Sequence, residues 1–151
     1  MKIVYCCFGG AHSSPVAAAI HLGQLAAHRL PTPEEIMEIP LFDRNDDKGT
    51  LHYIGTDELA NEVYVLGRGG GAEIVEKALV SGYNLGGGAA KLRLVDTLRC
   101  VNYQMRIGGY LSRRLRLISI GRPMVLRGTI RAFPCLVAVV KQVKEGLGGS
   151  L

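Results

Sequence analysis

The feature that most constrains this chain is the switch of character within residues 2–23, KIVYCCFGGAHSSPVAAAIHLG. Residues 2–7 are an unbroken apolar run behind one lysine, the signature of a strand buried on both faces. Residues 8–14 then bring two glycines, a histidine and two serines, and Pro15 opens a run of alanines. Proline at the first helical position behind a serine predicts a helix over residues 15–27 with Ser14 as its N-cap. A strand that enters a helix through a glycine turn is half of a βαβ unit, and it commits the chain to an α/β architecture if the alternation continues.

It does continue. Residues 31–39, PTPEEIMEI, read as a short helix capped by Thr32 with Pro33 at its first position, and LFDRNDDKGT follows as a polar loop. Residues 50–54 and 62–66 read as two strands in a hairpin or side by side, then GRGGG leads into a helix over residues 72–80. SGYNLGGGAAK is a glycine-rich loop, residues 92–96 a strand, and residues 102–115 a helix interrupted by Gly108 and Gly109. LISI, residues 117–120, reads as a last strand. Gly128 and Pro134 divide what remains into a turn of helix after Pro123 and a main helix over residues 135–145. The expected fold is α/β, a single three-layer domain over residues 1–151 with a mainly parallel sheet, residues 50–66 supplying an antiparallel edge pair.

Several function classes recede on composition. The N-terminus lacks a secretory pattern, and no apolar stretch reaches the roughly 18–20 residues of a membrane span, so a cytoplasmic protein with no membrane partner is expected. Cys6, Cys7, Cys100 and Cys135 include no C-x-x-C pair and read as reduced thiols. Charge is uneven: residues 1–90 hold 6 Lys and Arg against 11 Asp and Glu, a net of −5, and residues 91–151 hold 12 against 2, a net of +10. Such a field attracts an anion, whether a phosphometabolite, a nucleotide or a nucleic-acid backbone. Only Tyr103, Tyr110 and Phe133 are available in this part to stack bases, which weakens the nucleic-acid option.

In an open parallel sheet, ligands bind at the carboxyl ends of the strands, where loops and helix N-termini converge. FGGAHSSP carries the most chemistry of the junctions there. Gly9 and Gly10 allow close approach of a ligand, Ser13 and Ser14 with the first helical N–H groups suit phosphate oxygens, and His12 is a proton donor beside them. The same residues also serve as a tight turn, a cap and a surface histidine. Cys7 ends the strand where a helix N-terminus makes a thiol nucleophilic, whereas Cys6 points to the opposite face. Asp96 is a strand-end candidate for general acid. Arg122, after the expected last strand, is the candidate anion clamp and Arg99 the second, while Arg113, Arg114 and Arg116 lie nearer the other end.

Other motifs are weaker. Gly67 to Ala72, GRGGGA, fits a dinucleotide fingerprint, but the spacing to Asp96 is long and the strand is not the first. The four histidines lack ligand spacing, and Asp57, Glu58 and Glu62 read as a solvated turn more readily than as a Mg²⁺ site, so no metal or cofactor is assigned.

Two resemblances follow from these motifs. Cys7, then FGGAH, Ser13, Ser14 and Pro15 resembles the opening loop of low-molecular-weight protein tyrosine phosphatases and the related arsenate reductases, over about a dozen residues. Those proteins have an arginine where this chain has Ser13, and a serine cannot clamp phosphate bidentately. More broadly, YCCFGGAHSSPVAAAIHLG with DELANEVYVLGRG, LVDTLRCVN and IGGYLSRRLRLISIGRP is similar to an uncharacterised family of spore-forming Firmicutes, domain of unknown function three-one-eight-nine. That resemblance implies no mechanism.

Three readings stand. The first is a protein that binds a phosphate-containing small molecule or nucleotide at the first loop. The second is a phosphatase-like or redox enzyme using Cys7, and the third a non-enzymatic regulatory or interaction protein with a basic C-terminal face.

Overall fold

In the computed structural model, which describes residues 1–44 and 48–148, strands β1 (Lys2–Cys7), β2 (Leu51–Thr56), β3 (Glu62–Gly67) and β4 (Leu92–Asp96) form one sheet in the order β2-β3-β1-β4. Residues 45–47 of the polar loop lie outside the described residues. β1 pairs in parallel with both β3 and β4, and β2 pairs antiparallel with β3 as the edge strand, as expected of residues 50–66. Being interior, β1 buries both faces, which is why its sequence is continuously apolar rather than alternating.

Helices cover the two faces unequally. Ile3, Tyr5, Val63 and Val65 face α1 (Ser13–His21) and α5 (Ile118–Gly148), with Val16, Ile20, Phe133, Leu136 and Val140 completing the main core. Val4, Cys6 and Leu66 face the other way, against Val75 and Leu79 of α3 (Ala72–Leu85). The result is the expected three-layer arrangement. α2 (Pro33–Glu38) carries the full capping box read from its sequence: Glu35 N–H donates to Thr32 Oγ1, and the Glu35 carboxylate accepts from Thr32 N–H.

The C-terminal part departs from expectation. LISI is not a strand: Gly121 N–H bonds Leu117 O at 2.8 Å, and residues 118–148 form one long helix running through Pro123 and Pro134. Both prolines sit on its exposed side, where the carbonyls they leave unpaired can meet water. This helix is long and apolar enough to cross a membrane by length and composition, contrary to expectation, although here Val125, Leu136, Val139 and Val143 pack it into the core.

Gly108, Gly121 and Gly128 explain how α4 (Tyr103–Gly109) meets α5. A Cβ on Gly121 would stand 2.4 Å from Ser112 N, and one on Gly128 would stand 2.8 Å from Met105 Cγ. The glycines read as breakers are therefore contact points between helices, and Tyr110–Arg114 continues α4 as a turn of π-helix. Cys100, in the 3-10 turn Leu98–Cys100, and Cys135 are disulfide-bonded rather than reduced. Thirty-five residues apart in the chain, they are brought together by α5 folding back over the end of β4.

Candidate functional site

Cys7 lies opposite Gly67 at the carboxyl end of β1, and α1 begins six residues later. The turn between them is held from outside. Arg68 N–H bonds Cys7 O at 2.9 Å, Gly69 N–H bonds Phe8 O at 2.8 Å and Asp43 N–H bonds Ala11 O at 2.9 Å. Gly10 has φ +70°, and a Cβ there would press on Gly67 N at 3.0 Å, so the two glycine turns interlock with no room for side chains. Gly67 and its successors thus brace the first loop.

Inside the turn, the donors converge on sulfur. Gly10 N–H reaches Cys7 Sγ at 3.1 Å and Ser14 Oγ–H reaches it at 3.0 Å. Ser14 is therefore not the N-cap: His12 occupies that position without a side-chain cap bond, and Ser14 stands in the first turn facing the strand. Ser13, where the phosphatase pattern has its arginine, shares a 2.8 Å hydrogen bond with Thr97 Oγ1, which itself donates to Cys6 O at 2.9 Å. Both serines are fully buried, and Cys7 is 4% exposed and unpaired as a thiol. On the other face, burial pushes the Cys6 thiol up to about 12, with Arg68 opposing.

A second cluster gathers beside the loop around Asp43, which no sequence motif marks. Its carboxylate accepts from Arg122 Nε at 2.8 Å and Ser112 Oγ at 2.9 Å, and pairs with His12 Nε2 at 3.3 Å. Burial alone would raise its pKa, but the bonds from His12, Arg122 and Ser112 outweigh burial and hold it at about 2. Phe42 packs against the His12 ring, centroids 5.6 Å apart, so residues 42 and 43 lean on the loop together.

The remaining candidates go elsewhere. Asp96 pairs with Cys6 across the strands, not with Cys7, and its carboxylate meets Arg68 at 2.7 Å on the α3 face. Arg68 is 6% exposed and also bridges to Glu76. Arg99 donates to Gln142 at 3.0 Å, in an open groove between β4 and α5 that Arg93 also lines. Asp57, weighed as a cation ligand, is spent on a buried relay: Tyr5 OH meets His21 Nδ1 at 2.8 Å and His21 Nε2 meets Asp57 Oδ2 at 3.0 Å. Burial lowers the His21 pKa, against the Asp57 hydrogen bond. Among the described residues, no three His, Cys, Asp or Glu side chains gather as a metal site.

Cys7, Gly10 and Ser14 thus form one cluster, with His12 and Arg122 joined to its edge through Asp43. A family model described as "Protein of unknown function (DUF3189)" matches residues 2–145. The chain belongs to that family. All the residues of both clusters lie inside the matched span. No curated protein and no solved structure matches the chain.

Proposed function

We propose that this member of the family is a thiol enzyme acting on a phosphate-containing small molecule, with Cys7 as nucleophile. One observation carries the reading: the Gly10 N–H and the Ser14 hydroxyl are both directed at the Cys7 sulfur rather than at empty space. A sulfur held by two donors at the start of a helix is fixed in place for nucleophilic attack. An anion-binding loop without chemistry fits less well, since Ser13 and Ser14 both spend their hydroxyls inside the protein.

In the proposed reaction the Cys7 sulfur attacks phosphorus, an S–P bond forms as the P–O bond to the leaving group breaks, and His12 supplies the leaving oxygen with its proton. Water then cleaves the S–P bond and returns the thiol. Arg122, joined to the loop's edge through Asp43, takes the part of the missing loop arginine, exchanging the Asp43 carboxylate for substrate oxygens. Because Cys7 is buried, substrate reaches the sulfur only when the loop around it opens.

Hydrolysis of p-nitrophenyl phosphate, with acid-quenched mass analysis of Cys7, tests this. Turnover that falls at least about a hundredfold in Cys7→Ser, with a phosphoryl adduct on wild-type Cys7, is expected. Equal turnover in the two proteins overturns the reading. So does thermal stabilisation by phosphate in both without turnover in either, which would leave an anion-binding protein.

A further inference from the structure

We infer that residues 114–120, RLRLISI, are an attachment surface for an anionic lipid bilayer. The segment joins the π-helical turn to α5, and all seven of its residues are exposed. Leu115, Leu117, Ile118 and Ile120 are each between 44% and 56% exposed, as is Tyr110 just before them. Further along the same helix Val125, Phe133, Leu136 and Val140 are buried. A run of aliphatic side chains left in water next to a helix that buries its others is an unpartnered surface. Arg116, with φ +55°, makes the left-handed bend that turns the chain from the π-helical turn into α5.

Charge selects the partner. Between Asp96 and Glu145 the sequence contains no acidic residue at all, while Arg106, Arg114, Arg116, Arg127 and Arg131 are exposed along the same stretch. The patch therefore calls for negative charge. A second copy of the chain is disfavoured, because two such faces would bring like charges together. Nucleic acid is disfavoured by the residues between the arginines, which are aliphatic and do not stack on bases.

A bilayer with anionic headgroups meets both demands at once. Phosphate and carboxylate groups face the arginines, and the acyl boundary takes Leu115, Leu117, Ile118 and Ile120. Exposed tyrosines such as Tyr110 and Tyr103 suit the same boundary, having an apolar ring and a polar tip. The mode is peripheral attachment by the turn, not insertion of α5, whose apolar side is occupied by the core.

The test is flotation of the intact protein with two kinds of vesicle, phosphatidylcholine alone and phosphatidylcholine with roughly a third phosphatidylserine. Binding to the second and not the first is expected. It should weaken about fivefold for each of Arg114→Ala and Arg116→Ala, the effect of one basic residue at such a surface. Leu117→Glu with Ile120→Glu should abolish it, and since these side chains are exposed, the melting temperature should stay within about 2 °C of wild type. Binding to neither vesicle, equal binding to both, or binding unchanged in the variants overturns the proposal. So does a concentration-dependent dimer that Leu117→Glu abolishes while flotation stays negative, which would assign the face to a second copy. Retention of the protein on an acidic polypeptide but not on vesicles would assign it to a protein partner and equally overturn it.

Discussion

The hydroxyl of Ser14 donates to the sulfur of Cys7 at 3.0 Å, across the first turn of the helix that follows β1. Its neighbour Ser13 turns away, to Thr97. Two adjacent serines, both buried, therefore have separable jobs, one facing the sulfur and the other tying the loop to the end of β4.

That separation predicts opposite outcomes for two similar variants. Ser14→Ala removes one donor to the sulfur, a bond of about 1.5–3 kcal/mol if the sulfur is charged, so alkylation of Cys7 by iodoacetamide at neutral pH should slow about tenfold or more. Ser13→Ala should change that rate less than about threefold. It should instead cost stability, about 0.5–1.5 kcal/mol, by removing the hydrogen bond that ties the loop to the buried Thr97 hydroxyl, which keeps its bond to Cys6 O. Cys100 and Cys135 are bonded to each other, so peptide mapping needs to separate only Cys6 from Cys7. Equal alkylation rates for the two variants would show that the sulfur's surroundings do not govern its reactivity.

Asp43 makes stability depend on acid. Its folded pKa, about 2, lies below the ordinary carboxylate value of 3.8, so the unfolded chain takes up the proton first as pH falls. The contribution is fully present above about pH 4 and is lost as pH falls towards 2. Its size is about 2 kcal/mol, the free-energy equivalent of that lowering. Asp57, also held at about 2 by the Asn61 and His21 bonds against its burial, adds to the same limb. Urea melts from pH 6 to pH 2 should show the wild type losing stability over this interval. Asp43→Asn should be less stable at pH 6 and lose less on acidification, and parallel curves would remove Asp43 from the account.

What could be read in the sequence was local. KIVYCC announced an interior strand because its neighbours on both faces are apolar, and Thr32, Pro33 and Glu35 announced a helix start because a capping box needs only four consecutive residues. LISI misled because four apolar residues carry no period, and nothing within them says that no strand waits alongside. Gly128 and Pro134 misled in another way: local breaking tendencies of a few kcal/mol were outweighed by packing of α5 against α1 and α4. In the site, the glycines and Cys7 were visible by type, whereas the partners of Ser13 and Arg122 lie 84 and 79 residues away and had no local signal. Asp43 carries no signal of its own, because nothing in LFDRNDDKGT distinguishes a buried carboxylate from a solvated one.

The contact between Gly121 and Ser112 connects that long-range packing to the site. A methyl group at position 121 would meet Ser112 N at 2.4 Å and Gly108 O at 2.6 Å, both backbone atoms that cannot rotate away. Gly121→Ala should therefore push α5 off the preceding helix and cost about 1–3 kcal/mol or more through overpacking, despite alanine's better helix propensity. Gly82→Ala, in α3 with open space around the new methyl, should instead stabilise by up to about 1 kcal/mol. The two signs are readable in urea melts. Arg122 follows Gly121 directly, Ser112 is the residue displaced, and both are donors to Asp43. The acid limb attributed to Asp43 should accordingly flatten in Gly121→Ala and stay as in wild type in Gly82→Ala. If Gly121→Ala were as stable as wild type with an unchanged acid limb, the close approach of these helices would not be what holds Arg122 and Ser112 on the carboxylate.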